Sequence, residues 1–281
     1  MPAVPANGRS HSKDLYDRPS GPSLMLVISD IHFALDALRR EVDRGELLLL
    51  LGDFVNLTDY RTGEGAIADV LGMEFARQAG DARAGGDFKA MRRLWEQAAG
   101  DRSDDVRSAI RSSIADQYGL VSAALADGRG YVIHGNVDQP GLLQDSLPPT
   151  LEYVHGETRV IEGVTFGFVG GGIETPLNAE GEVSDEEMHE ILAAMGPVEV
   201  LCTHVPPAVD ALRTDVITGR NERGSEPILE YIRVHQPRLH LFGDVHQPQA
   251  STWRIGRTNC RNVGYFRATG RAFEINLTQN R

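Results

Sequence analysis

The sequence predicts a mixed α/β fold in which buried parallel strands alternate with helices. Short apolar runs recur along the chain, and several of them are separated by apolar residues at helical spacing. The runs end in small or polar residues, as the buried strands of an open α/β sheet do. Apolar residues make up 41% of the 281 residues and charged residues 24%, which is typical of a globular protein with a sizeable core.

The first two predicted strands each end in a carboxylate. Residues 24–28 are apolar and run into Ser29-Asp30-Ile31-His32, and residues 47–51 run into Gly52-Asp53. Helical spacing over residues 33–44 separates the two strands, so this part of the chain is predicted to be a parallel βαβ unit. The carboxyl ends of such strands are the usual ligand-binding edge of a sheet.

Two segments depart from this alternation. Residues 60–128 show helical spacing over 67–75, 88–99 and 104–125, which predicts a helical insertion or lid beside the strand ends. Residues 1–22 are rich in Pro, Ser, Gly and Asn and lack the apolar core of a signal peptide, so we predict a disordered tail there. The remaining residues 23–281 are predicted to form one domain that contains the insertion.

The alternation resumes after the insertion. The predicted elements are a strand over 131–134, a hairpin over 158–169, a helix from the Ser184 capping box to Met195, a strand over 198–201, a helix from Ser225 to His235, and a strand over 239–242. Residues 250–277 alternate like antiparallel strands at a sheet edge.

Polar side chains follow five of these strands. Any one of them alone is a common turn residue. Together they are predicted to place seven oxygen and nitrogen donors at the same edge of one sheet, which exceeds the needs of a single ion. Carboxylate, amide and imidazole groups suit hard or borderline divalent ions, so we predict two ions that share a carboxylate. The donors are Asp30, His32, Asp53, Asn136, His204, Asp244 and His246.

The order of these residues resembles that of the calcineurin-like metallophosphoesterases over residues 24–265. The matching motifs are Asp30-x-His32, Gly52-Asp53, Gly135-Asn136-x-Asp138, His204-x-Pro206 and Gly243-x-x-His246. The resemblance implies a two-sheet βαβ sandwich flanked by helices, with a binuclear metal centre. It implies that Asp30, His32 and His246 bind one ion, that Asn136 and His204 bind the other, and that Asp53 bridges them. Asp138 would orient a neighbouring group without binding metal.

The resemblance also implies an activity. It indicates a hydrolase of phosphoric esters, with a phosphodiesterase favoured, that cleaves a small phosphodiester or nucleotide by attack of a metal-bridging hydroxide. Asp53, Asn136 and Asp138 are the candidate catalytic residues. Mn²⁺ is the favoured ion, with Fe, Mg²⁺, Ni²⁺ or Zn²⁺ as alternatives.

The chain departs from the family pattern at two positions. Val137 stands where many members have a histidine that contacts phosphate. Members that lack this histidine resemble phosphodiesterases more than broad monoesterases. His134 is interpreted as a core histidine rather than as a replacement. Asp244 stands where the pattern has a histidine ligand of the second ion. It would bind that ion directly or through water, or else the second site is weak and the protein is a catalytically weak or regulatory relative.

Substrate-binding candidates come from two regions. Asn56 and Arg61 follow Asp53 closely, and Arg254 and Arg257 lie in a stretch without acidic residues. The alternative for the second pair is solvated arginines on an edge strand. The formal net charge of −12 disfavours long nucleic acid as a partner, so a nuclease is the weaker hypothesis. Two cysteines and no membrane-length apolar run predict a cytoplasmic protein without disulfides.

Overall fold

Two β-sheets pack face to face between layers of helices in a computed structural model of the chain. The structure describes residues 24–59, 62–176, 179–217, 219 and 221–277. The predicted tail over residues 1–22 and the candidate Arg61 therefore lie outside the described residues. The predicted two-sheet α/β fold with flanking helices is confirmed.

The helices and strands of the described residues are numbered in chain order. The strands are β1 (Leu24–Ile28), β2 (Leu47–Leu50), β3 (Arg129–Val132), β4 (Leu151–Tyr153), β5 (Glu157–Ile161), β6 (Val164–Val169), β7 (Gly172–Ile173), β8 (Glu182–Val183), β9 (Val200–Thr203), β10 (Leu239–Phe242), β11 (Thr252–Ile255), β12 (Thr258–Asn262) and β13 (Phe273–Asn276). The helices are α1 (Leu35–Val42), α2 (Ala66–Leu71), α3 (Met73–Ala84), α4 (Phe88–Ala99), α5 (Ser103–Ala124), α6 (Pro140–Ser146), α7 (Asp185–Met195), α8 (Asp210–Arg213), α9 (Glu226–His235) and α10 (Phe266–Thr269).

The first sheet has the strand order β13-β1-β2-β3-β4. Strands β1 to β4 are parallel, and β13 pairs with β1 antiparallel. Strand β2 consists of four leucines and is apolar on both faces, as expected for the centre of a covered parallel sheet. Because Ile28 pairs with Leu50 and Leu50 with Val132, the loops that follow these strands begin side by side.

The second sheet has the order β11-β12-β10-β9-β6-β5. Its four central strands are parallel, and β11 and β5 are antiparallel strands at its two edges. Leu241 pairs with Cys202, so the loops after β9 and β10 also begin side by side.

Ligand candidates follow strands of both sheets, so the expectation of a single sheet edge is wrong. Asp30, Asp53 and Asn136 follow strands of the first sheet, whereas His204 and Asp244 follow strands of the second. Residues 250–277 contain antiparallel strands at sheet edges, as predicted, but these strands divide between the two sheets. Strands β11 and β12 join the second sheet, whereas β13 joins the first.

The core has three apolar layers. Met25 and Val27 of β1 face the second sheet, and the alternate residues Leu26 and Ile28 face helices α1 and α5. A third cluster packs helices α7 and α9 onto the outer face of the second sheet. Helix α5 of the predicted insertion is therefore part of the outer helical layer. No helix in the described ranges is long and apolar enough to cross a membrane.

Candidate metal centre

The loops after the strands turn sharply where they carry polar side chains. Asp30, His32, Asp53 and Asp244 all have left-handed backbones, with φ between 39° and 66°. Aspartate tolerates this region better than most residues do. The loops are also bonded to each other, because Asp30 N donates to Gly52 O at 3.1 Å and His32 N donates to Asp53 O at 2.8 Å.

Asp30, His32 and His246 form a first group of ligand candidates, which we call the first half-site. His32 Nε2 lies 3.2 Å from His246 Nε2, and His246 Nε2 lies 3.4 Å from Asp30 Oδ1. The other carboxylate oxygen, Asp30 Oδ2, accepts a hydrogen bond from the backbone N–H of Asp244. Asp30 Oδ1 is buried and accepts no hydrogen bond of normal geometry from any residue that the structure describes.

Asn136, His204 and Asp244 form a second group, the second half-site. His204 Nε2 lies 3.3 Å from Asn136 Oδ1 and 3.7 Å from Asp244 Oδ1. The opposite ring nitrogen of His204, Nδ1, bonds to the carbonyl oxygen of Leu51 at 2.7 Å. A carbonyl can only accept, so Nδ1 carries a proton, and in the neutral imidazole the lone pair of Nε2 is directed into the half-site.

Asp53 lies between the two half-sites. Its Oδ2 is 3.4 Å from His32 Nε2, and its Oδ1 is 3.4 Å from His204 Nε2. One carboxylate thus presents an oxygen to each half-site, which is the arrangement that a bridging ligand requires.

The seven residues fit a pair of divalent ions. Ligand atoms that each lie about 2.0–2.2 Å from one ion are about 3–3.5 Å apart, close to the separations within both half-sites. The unpartnered Asp30 Oδ1 is a second indication, because buried polar atoms are otherwise hydrogen-bonded. Two sets of three residues bring their donor atoms close enough to hold an ion. They are Asp30, His32 and His246, and Asp30, Asp53 and His204.

Opposite charges dominate the electrostatics of the centre. Burial alone would raise the pKa of Asp30, but the adjacent His246 and the charges of two further histidines lower it to about 2. Burial alone would lower the pKa of His204, yet Asp53, Asp244 and Asp30 raise it to about 9. Without metal, the carboxylates therefore favour the protonated forms of His204 and His246, whose protons an ion must displace, whereas burial lowers the pKa of His32 to about 4.

Asp244→Asn is expected to stabilise the metal-free protein above pH 6. Burial raises the pKa of Asp244 from 3.8 to about 6, so the ionised side chain destabilises the folded state wherever the pH exceeds that value. The side chain is 22% exposed, and we therefore expect a gain of only about 1–2 kcal/mol at pH 8. The gain should shrink as the pH falls from 6 to below 4, where both states are protonated.

Urea unfolding at pH 4, 6 and 8 after treatment with a chelator measures this gain. Asp36→Asn, which changes an exposed carboxylate of α1, is the control and should leave the unfolding free energy nearly unchanged at each pH. An equal gain for Asp244→Asn at pH 4 and pH 8 would show that ionisation of Asp244 is not its cause.

Asp138 lies behind the metal-facing side chains. Its carboxylate is buried and accepts hydrogen bonds from the backbone N–H groups of Asp53, Phe54 and Gly135, at 2.8 to 3.0 Å. The hydroxyl of Tyr118 donates a fourth bond at 3.0 Å. These hydrogen bonds join Asp138 to two of the ligand-bearing loops, and its role of orienting neighbouring groups stays a prediction.

The two residues around the missing family histidine do not replace it. The side chain of Val137 packs against the core of the first sheet, and its N–H donates to Asp53 Oδ1 at 3.1 Å. His134 is buried, and its Nδ1 bonds to the hydroxyl of Tyr153 at 2.8 Å. Burial lowers the pKa of His134 to about 3, as expected for a neutral core histidine.

The described substrate-binding candidates do not converge on the centre. Asn56 is buried, and its Nδ2 donates to the backbone oxygen of Glu64 at 3.5 Å. Arg254 pairs with Asn259 of β12, and Asn259 in turn pairs with Leu239, the first residue of β10. The backbone N–H of Arg257 donates to the side-chain oxygen of Gln236 at the end of α9. Both arginines therefore lie at the amino end of β10. The length of β10, about 13 Å, separates them from the candidate ligands at its carboxyl end. The expected position beside the metals is not found.

Changing Arg254 and Arg257 together to alanine is expected to leave kcat/KM for a phosphoester within about twofold of wild type. Exposed edge-strand arginines contribute little when they contact neither substrate nor ligands. Steady-state hydrolysis by the double variant tests this, and a tenfold loss would place the pair in substrate binding.

Two further residues lie beside the centre, of which Arg267 belongs to the arginine-containing stretch without acidic residues and Tyr265 had no distinguishing signal in the sequence. The ring of Tyr265 lies parallel to that of His246, with 3.7 Å between the ring centroids. Arg267 donates to the backbone oxygen of His32 at 3.1 Å and pairs with Asp59 at 2.6 Å. All three contacts join residues more than 15 positions apart, so local spacing could not reveal them.

Comparisons with known proteins agree with the family that the sequence motifs resemble. A family model described as calcineurin-like phosphoesterase matches residues 24–248. No curated protein sequence matches the chain significantly.

Three solved structures are similar at low identity. TT1561 of Thermus thermophilus is 15% identical, with 91% of this chain and 99% of that chain covered and a TM-score of 0.48. AQ665 of Aquifex aeolicus, a protein of unknown function, is 13% identical, with 90% and 95% covered and a TM-score of 0.38. The sulfate thiohydrolase SoxB of Thermus thermophilus, solved with glycerol, is 16% identical, with 89% and 53% covered and a TM-score of 0.34.

Proposed function

Because the chain belongs to the calcineurin-like phosphoesterase family, we propose that it is a metal-dependent phosphodiesterase that hydrolyses a small phosphodiester or nucleotide. The observation that carries this proposal is the position of Asp53. Its two oxygens lie 3.4 Å from histidines of different half-sites, so one carboxylate can serve two ions at once. Hydrolysis of phosphoric esters commonly uses such paired ions.

The ligand residues divide the work of holding the ions. Asp30, His32 and His246 would hold the first ion, and Asn136, His204 and Asp244 the second, with Asp53 shared. When bound, two divalent ions supply Lewis-acid stabilisation of the phosphoryl oxygens and lower the pKa of a water molecule. Oxygen donors outnumber imidazoles in the second half-site, which favours Mn²⁺ or Mg²⁺ there over softer ions.

The side chain of Val137 supports a diester over a monoester. An apolar side chain can neither donate to the extra charged oxygen of a monoester nor protonate a poor leaving group. The substrate that this centre suits best is therefore a diester with a stable leaving group, of which a cyclic nucleotide is one example.

A second candidate function is that of a catalytically weak or regulatory relative. The observation in its favour is Asp244, whose Oδ1 is the most distant donor from His204 in the second half-site, at 3.7 Å. If Asp244 holds its ion poorly, the protein would bind one ion tightly and turn over slowly. A nuclease for long DNA is less favoured because the chain carries a net charge of −12.

Metal reconstitution tests both candidates. The chelator-treated protein is loaded with Mn²⁺, Mg²⁺, Ni²⁺, Zn²⁺ or Fe²⁺, and hydrolysis of bis(p-nitrophenyl) phosphate is compared with that of p-nitrophenyl phosphate. We expect two bound ions per chain and a diester rate at least about tenfold above the monoester rate with Mn²⁺.

Other outcomes separate the candidates. A folded protein without diesterase activity with any of these ions would overturn the first proposal. One bound ion and slow turnover would favour the second, and Asp244→His should then increase metal content and rate. If that variant gains neither, Asp244 is not the limiting residue.

A further inference from the structure

Helix α5 of the insertion carries two adjacent polar residues that point into the protein. Gln117 is 9% exposed and Tyr118 is 1% exposed, and each contacts a different ligand-bearing loop. Gln117 Oε1 accepts from the N–H of Asn56 at 2.7 Å, and its Nε2 donates to the oxygen of Asn56 at 3.1 Å. These two hydrogen bonds join the side chain of Gln117 to the backbone of Asn56, three residues after Asp53 in the same loop.

Tyr118 holds the neighbouring loop. Its hydroxyl accepts from the N–H of Gln139 at 2.9 Å and donates to Asp138 Oδ1 at 3.0 Å. Asp138 in turn accepts from the backbone of Asp53 and Gly135 at 2.8 Å each. A continuous chain of hydrogen bonds therefore runs from helix α5 through Asp138 to the backbone of the bridging residue.

We propose that Gln117 and Tyr118 are positioning residues, through which helix α5 fixes the loops 52–57 and 135–139 relative to each other. The consequence for metal binding rests on the proposed function, whereas the fixing of the loops does not. Loops fixed in this way keep both oxygens of Asp53 and the side chain of Asn136 at the separations that two ions need.

The anchoring of helix α5 does not require these polar groups. Ile114, Val121 and Ala124 of the same helix are buried in the apolar cluster of the first sheet. The carboxylate of Asp138 is buried, so each hydrogen bond that it accepts compensates for its desolvation. Loss of the tyrosine hydroxyl removes the acceptor of the Gln139 N–H and leaves Asp138 Oδ1 with one hydrogen bond, from Phe54 N–H, instead of two, so the network loosens.

Conservative variants separate positioning from stability. Tyr118→Phe removes one oxygen atom, and Gln117→Met removes the amide at nearly constant length. Gly119→Ala is a control on the same helix, since its Cβ would meet no atom of the described chain within 4 Å. Tyr231→Phe is the matched control, because that hydroxyl donates to the oxygen of Gly196, far from the ligands.

Amide hydrogen exchange of the full-length, metal-free protein is the first measurement. We expect Tyr118→Phe to speed exchange in segments 52–57 and 134–139 by about tenfold, and Gln117→Met to do so mainly in 52–57. Titration with Mn²⁺ is the second measurement, and we expect affinity about 10- to 100-fold lower in Tyr118→Phe. Gly119→Ala and Tyr231→Phe should leave both measurements at wild-type values.

The outcomes distinguish this inference from the proposed function. Wild-type exchange and affinity in Tyr118→Phe would overturn the inference, even if the enzyme is active. Faster exchange in a protein that binds no Mn²⁺ would support the positioning of the loops and overturn the proposed function. If Tyr118→Phe does not fold, Gln117→Met decides, and unchanged exchange in 52–57 then overturns the inference.

Discussion

Asp53→Asn is expected to lower kcat/KM for a phosphodiester by at least about 10³-fold, equivalent to about 4 kcal/mol of transition-state stabilisation. An asparagine has one oxygen ligand, so its NH₂ group would face one of the two half-sites and repel an ion there. The amide oxygen can still accept the hydrogen bond from the N–H of Val137, which keeps the loop in place.

The loss should not come from unfolding. Burial raises the pKa of Asp53, and the charge of Asp30 raises it further, so the ionised carboxylate disfavours the metal-free fold at neutral pH. The metal-free variant should therefore be at least as stable as wild type. Steady-state kinetics, metal content and thermal unfolding test this together, with the exposed Asp145→Asn on α6 as control. A variant that still binds two ions and keeps a tenth of the activity would show that Asp53 does not bridge.

Gly135→Ala is expected to destabilise the protein by about 3 kcal/mol and to abolish tight metal binding. A Cβ at this position would lie 2.1 Å from Asp53 Oδ1 and 2.6 Å from the backbone nitrogen of Asp53. Opposite it, a Cβ at Gly52 would lie 2.4 Å from the nitrogen of Gly135, and Gly52 has a φ of +99°. The two loops therefore approach so closely that only glycine fits, and an added methyl group must displace the bridging carboxylate.

Urea unfolding and Mn²⁺ titration measure both effects of Gly135→Ala. Gly141→Ala is the control, because Gly141 lies in helix α6 and its Cβ would meet no described atom within 4 Å. Alanine there should be neutral or stabilising by up to about 1 kcal/mol. If the two variants unfold at the same urea concentration, the contact between the loops is not tight.

Local sequence patterns are sufficient to predict the strands that position the candidate ligands. The leucines of β2 and the apolar residues of β1 define strands that are buried on both faces, and their ends are marked by Asp30 and Asp53. The helix-capping residues Ser184 and Ser225 can also be predicted from the sequence. In the structure, Ser184 accepts a hydrogen bond from the N–H of Glu187, and Ser225 accepts one from the N–H of Ile228.

Features that depend on long-range pairing cannot be predicted in this way. Which sheet a strand joins is decided by its partners, so local alternation predicts the antiparallel edge strands of residues 250–277 but not that they divide between two sheets. Gly72 separates α2 from α3 inside a stretch for which spacing alone predicts one helix. Gln117 and Tyr118 lie on a helix of ordinary composition, and only the folded chain brings them to the ligand-bearing loops.

The pairing of β1 with β13 has a consequence for synthesis on the ribosome. Strand β1 leaves the ribosome early, but Leu24 pairs with Asn276 of a strand that emerges long after it. Until then one edge of β1 is open, and an open apolar edge strand invites association with other nascent chains. His246 is made 214 residues after His32, so the first half-site is incomplete until then. We therefore expect the ions to bind after His246 has been made rather than to guide the folding of the first sheet.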